Sequence, residues 1–266
     1  VVRSWSELDF DNVCSNAKVF GFDLDNTLAS SKQPMKPAMI ERFCALLDHT
    51  VVALISGGGM AVVTSQVLDV LTPNARRGNL HVMPLRLPDY RWDGTQWALV
   101  YAHDLSEATV AAVSESLERH ARELGLWEQQ VWGPRIENRG SQITFSALGQ
   151  FAPVAAKQAW DRDNTKKQAL VEAVKADLPH MRVRAGGYTS VDVSECGIDK
   201  AYAVRKLTQT LGIRADEMVF VGDRMTPTGN DYPAVEAGAI GVRVENPQDT
   251  VQLLDALLAR FDTPAR

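Results

Sequence analysis

Val19-Phe20-Gly21-Phe22-Asp23-Leu24-Asp25-Asn26-Thr27 is the stretch on which the reading of this chain turns. Its first four residues hold no polar side chain and show no polar alternation, which predicts a strand buried on both faces. The run ends in two aspartates at positions i and i+2, where the chain must turn, so both carboxylates can reach one centre at the strand's carboxyl end. Two other segments repeat the design. Residues 51–55 run apolar into Ser56-Gly57-Gly58-Gly59, and residues 218–221 run into Gly222-Asp223-Arg224. Helical periodicity over residues 35–47, 61–71 and 200–211 alternates with these runs. The pattern predicts an α/β fold with a doubly wound, Rossmann-like parallel sheet. Ligands of such sheets bind at the carboxyl ends of the strands, where all three polar turns lie.

The middle of the chain reads differently. Residues 107–124 and 165–177 have helical periodicity, residues 142–148 alternate apolar with polar, and residues 181–184 form another short strand. Helices beside an antiparallel sheet predict an inserted α+β cap. Pro84, Pro88 and Asp93-Gly94 punctuate its entrance and Gly186-Gly187 its exit. The expected division is a core of residues 1–83 and 188–266 with a cap of residues 84–187 between its two parts.

Bulk properties narrow the function. The 266 residues are 45% hydrophobic and 23% charged, ordinary for a soluble protein, and the net charge is −5. A mildly acidic chain is a poor partner for nucleic acid or an anionic membrane, which attract basic surfaces. Cys14, Cys44 and Cys196 make an odd set without a CxxC pair, which argues against a disulfide framework and a zinc site. His81, His103, His120 and His180 are too scattered for a metal site. Five of the six tryptophans, Trp92, Trp97, Trp127, Trp132 and Trp160, fall in the expected cap, where packing of a thin core accounts for most of them. Free thiols, no N-terminal apolar core of signal-peptide length and no membrane-length apolar run predict a cytoplasmic protein.

The chemistry is carried by four turns. A carboxylate such as Asp23 can attack phosphorus without a base to activate it, because it is already ionised at neutral pH. Its obstacle is the negative charge of a phosphate, which a magnesium ion would offset. Asp25 can protonate the leaving oxygen and later activate water. Thr27 can hold the loop through its hydroxyl. Ser56, with the bare amides from Gly57 onward, suits a phosphate oxygen; a helix cap with flexible glycines explains Ser56 alone equally well. Lys200, at a helix start in Gly197-Ile198-Asp199-Lys200, can neutralise the phosphoryl group. Asp223 offers a hard oxygen to magnesium. In Gly229-Asn230-Asp231, Asp231 can bind the metal through water or orient Lys200. Each turn alone has an ordinary structural explanation, but the four in this order and position point together to phosphotransfer.

With these motifs, the sequence resembles the haloacid dehalogenase superfamily of phosphotransferases. Its four motifs are matched by Asp23 to Thr27, Ser56, Lys200, and Asp223 with Asn230-Asp231. The resemblance implies Asp23 as nucleophile and Asp25 as general acid and base. It also implies magnesium held by Asp23, the Asp25 backbone carbonyl and Asp223. An insertion after the second motif is similar to the cap class shared by sugar phosphatases and eukaryotic-type phosphomannomutases. Ile136-Glu137-Asn138-Arg139 and the stretch from Gly186-Gly187 through Ser190 and Asp192 are similar to the mutase cap. That implies Arg139, Ser190 and Asp192 as substrate contacts and Asn230 as part of the phosphate site. The chain departs from the mutases at Asn26, where they carry glycine, and at Gln150 and Lys157, where they carry arginines that grip a distal phosphate.

The expected activity is magnesium-dependent hydrolysis of a phosphorylated sugar or similar small metabolite, and the reading allows a homodimer. The alternative is a phosphohexomutase of phosphomannomutase type. A silent binding domain would break a motif, and all four are intact. An ion-pumping ATPase would need membrane spans that the sequence lacks.

Overall fold

The computed structural model describes residues 2–84, 88–102, 104–196 and 198–262. His103 and Gly197, singled out above, lie outside the described residues. The chain divides into two compact units, Val1–Tyr101 with Gly197–Arg266, and Ala102–Cys196.

The larger unit contains β1 (Val2–Ser4), β2 (Val19–Phe22), β3 (Val51–Ile55), β4 (Leu80–Met83), β5 (Asp89–Trp92) and β6 (Trp97–Tyr101). The inserted unit contains β7 (Ile136–Asn138), β8 (Ile143–Ser146), β9 (Met181–Ala185) and β10 (Ser190–Glu195), and the chain returns to the larger unit with β11 (Met218–Gly222) and β12 (Ile240–Arg243). The large sheet has the order β1-β12-β11-β2-β3-β4-β5-β6. It is parallel from β1 to β4 and antiparallel beyond.

Its helices are α1 (Phe10–Asn16), α2 (Pro37–His49) and α3 (Met60–Gln66) before the insertion, with α4 (Glu107–Glu123), α5 (Val154–Trp160) and α6 (Thr165–Asp177) inside it. Then come α7 (Lys200–Leu211), α8 (Tyr232–Glu236) and α9 (Pro247–Phe261). Alternation along the central strands divides the core. Phe20, Phe22, Val52, Leu54, Val219 and Val221 pack with Phe43, Leu46 and Leu47 of α2 and Leu253, Leu254 and Leu257 of α9. Val19, Ala53, Ile55, Met218 and Phe220 pack with Ala203, Val204 and Leu207 of α7. Burial on both faces is why these strands read as unbroken apolar runs. Gly21 pairs with Phe220, and a Cβ there would lie 2.6 Å from the Met218 methyl and 2.8 Å from the Phe220 ring. The glycine therefore makes room for large side chains on the neighbouring strand.

Helix starts follow local chemistry. Residues 35–47 read as helical, but α2 begins at Pro37, whose fixed φ suits a first turn and whose missing N–H costs nothing there. The expected helix over 61–71 breaks at Val67, with φ −126°, into α3 and a short 3-10 turn over Leu68–Val70.

In the inserted unit the antiparallel order is β7-β8-β10-β9. Ile143, Phe145, Val183, Val191 and Val193 pack against Val113 and Leu117 of α4 and Leu170, Val171 and Val174 of α6. The unit differs in extent from the 84–187 read from the sequence. Asp93-Gly94 turns the β5–β6 hairpin, which continues the large sheet from β4. Gly186-Gly187 turns the β9–β10 hairpin, where the Gly186 N–H donates to the Ser190 carbonyl at 2.8 Å. Both glycine signals are tight turns within a sheet rather than passages between units.

The turn after β2 is closed by the Asn26 N–H donating to the Ala29 carbonyl at 2.7 Å and the Leu28 N–H to the Leu24 carbonyl at 3.0 Å. Asn26 has φ +59°, a left-handed conformation that asparagine tolerates and branched residues do not. Asn26→Gly is expected to unfold in urea within about 1 kcal/mol of the parent, whereas Asn26→Val loses about 1–2 kcal/mol.

Candidate active site

The carboxyl ends of β2, β3 and β11 bring the sequence motifs together. Asp23 follows β2 directly, and its N–H continues the ladder by donating to the Val221 carbonyl at 2.9 Å. It is 6% exposed. Ser56 follows β3, its N–H donating to the Met83 carbonyl at 3.0 Å and its Oγ accepting from the Gly58 N–H at 3.0 Å. Asp223 follows β11. Asp23, Asp25, Ser56, Gly57, Asp223 and Asn230 line one cavity.

Behind Asp23, the Lys200 ammonium donates to Asp23 Oδ1 and to Asp231 Oδ1. Lys200 opens α7, and both it and Asp231 are buried. The other Asp231 oxygen accepts from the Arg224 N–H at 2.8 Å. Asp231 lies so close to the β11 end that a Cβ on Gly222 would be 2.4 Å from its Oδ2, so only glycine fits there.

Charge is unbalanced in this cluster. Carboxylate oxygens of Asp23, Asp223 and Asp231 all lie within 4.8 Å of one another, against the buried ammonium of Lys200 and the exposed Arg224 guanidinium, 4.0 Å from Asp223. Burial, opposed by Lys200 and reinforced by Asp231, pushes the Asp23 carboxyl up to about 6. Burial and then Asp231 also raise Asp223 above the usual carboxylate range. Burial pushes the Lys200 ammonium down, but Asp23 and Asp231 more than reverse this, and it stays protonated. A convergence of hard oxygen donors with excess negative charge fits a divalent cation such as magnesium. Asp23 and Asp223, which line the cavity, are placed to hold it, whereas both Asp231 oxygens are engaged, one by Lys200 and one by the Arg224 amide.

Thr27, Arg139, Ser190 and Asp192 are absent from the lining of that cavity. Thr27 is fully buried, absent from the cavity lining, and its hydroxyl has no partner among the described residues. Asp25 is half-buried, its Oδ1 accepting from the Lys32 N–H at 3.3 Å. Arg139, Ser190 and Asp192 belong to the inserted unit. There Arg139 pairs with Glu137 at 3.1 Å, and Asp192 accepts from the side chains of Gln142 and Thr144. Ser31 and Arg224 line the cavity without having been expected. Arg224 directly follows Asp223, but nothing in the residue type distinguishes it from a solvated arginine.

The sequence profile described as eukaryotic phosphomannomutase matches residues 113–260, more than half of the chain. The chain belongs to the eukaryotic phosphomannomutase family. The phosphomannomutase of Saccharomyces cerevisiae is 25% identical over 243 residues, covering 89% of this chain and 92% of the yeast protein. Among solved structures, the IMP-nucleotidase of Plasmodium falciparum matches with a TM-score of 0.63 at 16% identity, covering 95% of this chain and 71% of that one. The trehalose-6-phosphate phosphatase of Aspergillus fumigatus matches with a TM-score of 0.61 at 13% identity, covering 95% of this chain and 98% of that one. At such identity these likenesses concern the fold, which is the haloacid dehalogenase type. The family membership makes the protein an enzyme of the phosphatase or mutase type. No described helix is long and apolar enough to cross a membrane.

Two measurements test this cluster. Lys200→Ala leaves two buried carboxylates facing each other and is expected to cost about 3–5 kcal/mol in denaturant unfolding at neutral pH. In the metal-free protein, Asp23 is expected to titrate near pH 6 by carboxyl carbon NMR, with Asp23→Asn supplying the assignment, and to move lower on adding magnesium. Because its native value exceeds that of an aspartate in water, ionising Asp23 works against the fold. Its contribution to stability therefore falls as pH rises from about 4 to about 6 and is level above that.

Proposed function

We propose that the protein is a magnesium-dependent phosphatase that hydrolyses a phosphorylated sugar or similar small metabolite through an aspartyl phosphate on Asp23. The observation that carries this reading is the Asp23 carboxylate, held at a strand end by Lys200 and crowded by Asp223 and Asp231. Asp23 attacks the phosphorus, and the bond from phosphorus to the leaving oxygen breaks as Asp25 gives that oxygen a proton. Asp25 then takes a proton from water, the water oxygen attacks phosphorus, and the bond to Asp23 breaks to release phosphate. Lys200, Ser56 and the amides from Gly57 onward balance charge on the phosphoryl oxygens, with Asn230 beside them. Magnesium, when held by Asp23, Asp223 and the Asp25 carbonyl, supplies positive charge that lets two anions meet. Arg139, Ser190 and Asp192 are the proposed substrate contacts of the inserted unit.

The second reading, isomerisation of hexose phosphates, is favoured by the family profile and by the yeast relative's name. Against it stand Gln150 and Lys157. Gln150 carries no charge, and the Lys157 ammonium donates to the Gln150 carbonyl at 2.7 Å. Neither supplies the planar fork that grips phosphate at two points.

Phosphorus NMR with magnesium separates the readings, using mannose 1-phosphate and glucose 1-phosphate with and without a hexose 1,6-bisphosphate. Free phosphate without any 6-phosphate product is the expected result. Clean isomerisation would overturn hydrolysis. Asp23→Asn is expected to be inactive in either case, and full turnover by that variant would remove Asp23 as nucleophile.

A further inference from the structure

The cavity at the strand ends of the larger unit is furnished differently on its two sides. In the sheet order β11-β2-β3, the strand that ends in Asp23 stands in the middle. Ser56 with the amides of Gly57 and Gly58 comes from the β3 side, and Asp223 with Arg224 from the β11 side. Lys200 already donates to Asp23 and Asp231. Arg224 is the only basic residue in the cavity lining among the described residues.

The root of Arg224 is fixed. Its N–H donates to Asp231 Oδ2 at 2.8 Å, and its carbonyl accepts from the Asp231 N–H at 3.3 Å. A Cβ on Gly229 would collide with that carbonyl, so a glycine there lets the loop close on Arg224. The next residue, Met225, is buried in the same apolar cluster as Phe220 and Val204. The head is loose by comparison. The side chain is 69% exposed, and its Nε stands 4.0 Å from Asp223 Oδ2, beyond hydrogen-bond reach. An exposed pair at that distance holds the guanidinium weakly. The guanidinium N–H groups meet no hydrogen-bond acceptor among the described residues. Neighbouring strands lie about 4.8 Å apart, so this fork of unused donors is anchored within an arginine's reach of the Asp23 carboxylate. A guanidinium so placed suits the oxygens of a phosphate, which it binds through charge-assisted hydrogen bonds.

We propose that Arg224 binds the reacting phosphate, its guanidinium donating to a non-bridging oxygen from the β11 side. Ser56 and the backbone amides then hold the same group from the β3 side. The ligand recognised is the phosphate group itself, common to phosphate monoesters and orthophosphate, so the contact does not depend on the alcohol that leaves. This inference rests on the phosphotransfer reading above for the place of the phosphate beside Asp23. Arg224 is a substrate-binding residue that forms no bond and moves no proton. The non-bridging oxygens stay charged from bound substrate to transition state, so the contact acts mainly on binding.

The test uses the full chain with magnesium and measures orthophosphate binding by calorimetry, where no turnover intervenes. Arg224→Ala is expected to weaken orthophosphate about tenfold, the size of one charge-assisted hydrogen bond, and Arg224→Lys to recover part of the loss. Magnesium alone is expected to bind Arg224→Ala at least as tightly as the parent, because a positive neighbour of Asp223 is gone. An orthophosphate affinity that Arg224→Ala leaves unchanged, or no orthophosphate binding by the parent, would overturn the assignment. So would weaker magnesium binding in Arg224→Ala, since residue 224 would then act on the acid cluster rather than on phosphate. In steady-state assays with p-nitrophenyl phosphate, Arg224→Ala is expected to lower kcat/KM about tenfold, mostly through KM, and a fall carried by kcat alone counts against the contact. If neither p-nitrophenyl phosphate nor any sugar phosphate releases phosphate, yet Arg224→Ala still loses orthophosphate affinity, the proposed hydrolysis fails and the role of Arg224 stands.

Discussion

The arrangement depends on one buried ammonium between two carboxylates. Lys200 bridges Asp23, 177 positions away in sequence, and Asp231, 31 positions away. Taking a lysine out of water costs several kcal/mol unless its partners are well placed. Here the partners are set by the ends of β2 and the loop after β11, and the lysine by the first turn of α7. Three segments that share no local sequence are thereby tied to one point. The same contact explains Gly222, because the Asp231 carboxylate fills the space a side chain would need.

The clamp also sets the electrostatics of the cluster. Lys200 and the exposed Arg224 do not neutralise three carboxylates, and burial raises Asp23 and Asp223 above their ordinary range. The unmet negative charge is what makes the cluster hospitable to a divalent cation. It also accounts for the division of labour among the acids. Asp231 is committed to structure by Lys200 and the Arg224 amide, while Asp23 and Asp223 keep oxygens turned to the cavity.

A similar commitment organises the inserted unit. Its sheet buries valines, Ile143 and Phe145 against α4 and α6, and turns arginines, serines and Asp192 the other way. Asp192 is held by Thr144 and Gln142.

The sequence by itself determined the central strands β2, β3 and β11, because strands buried on both faces are written as continuous apolar runs. It also determined which residues end them, since Asp23, Ser56 and Asp223 follow those runs directly. Asn26 is legible too, as a residue that accepts a left-handed turn. Tertiary structure alone decided the rest. The Asp93-Gly94 and Gly186-Gly187 signals are the same for a hairpin turn and a unit boundary, and only strand pairing distinguishes them. Thr27 shows no sign in sequence that its hydroxyl is buried away from the cavity. Arg224 looks like any exposed arginine. Its place in the cavity lining is set where the ends of β2, β3 and β11, distant in sequence, come together.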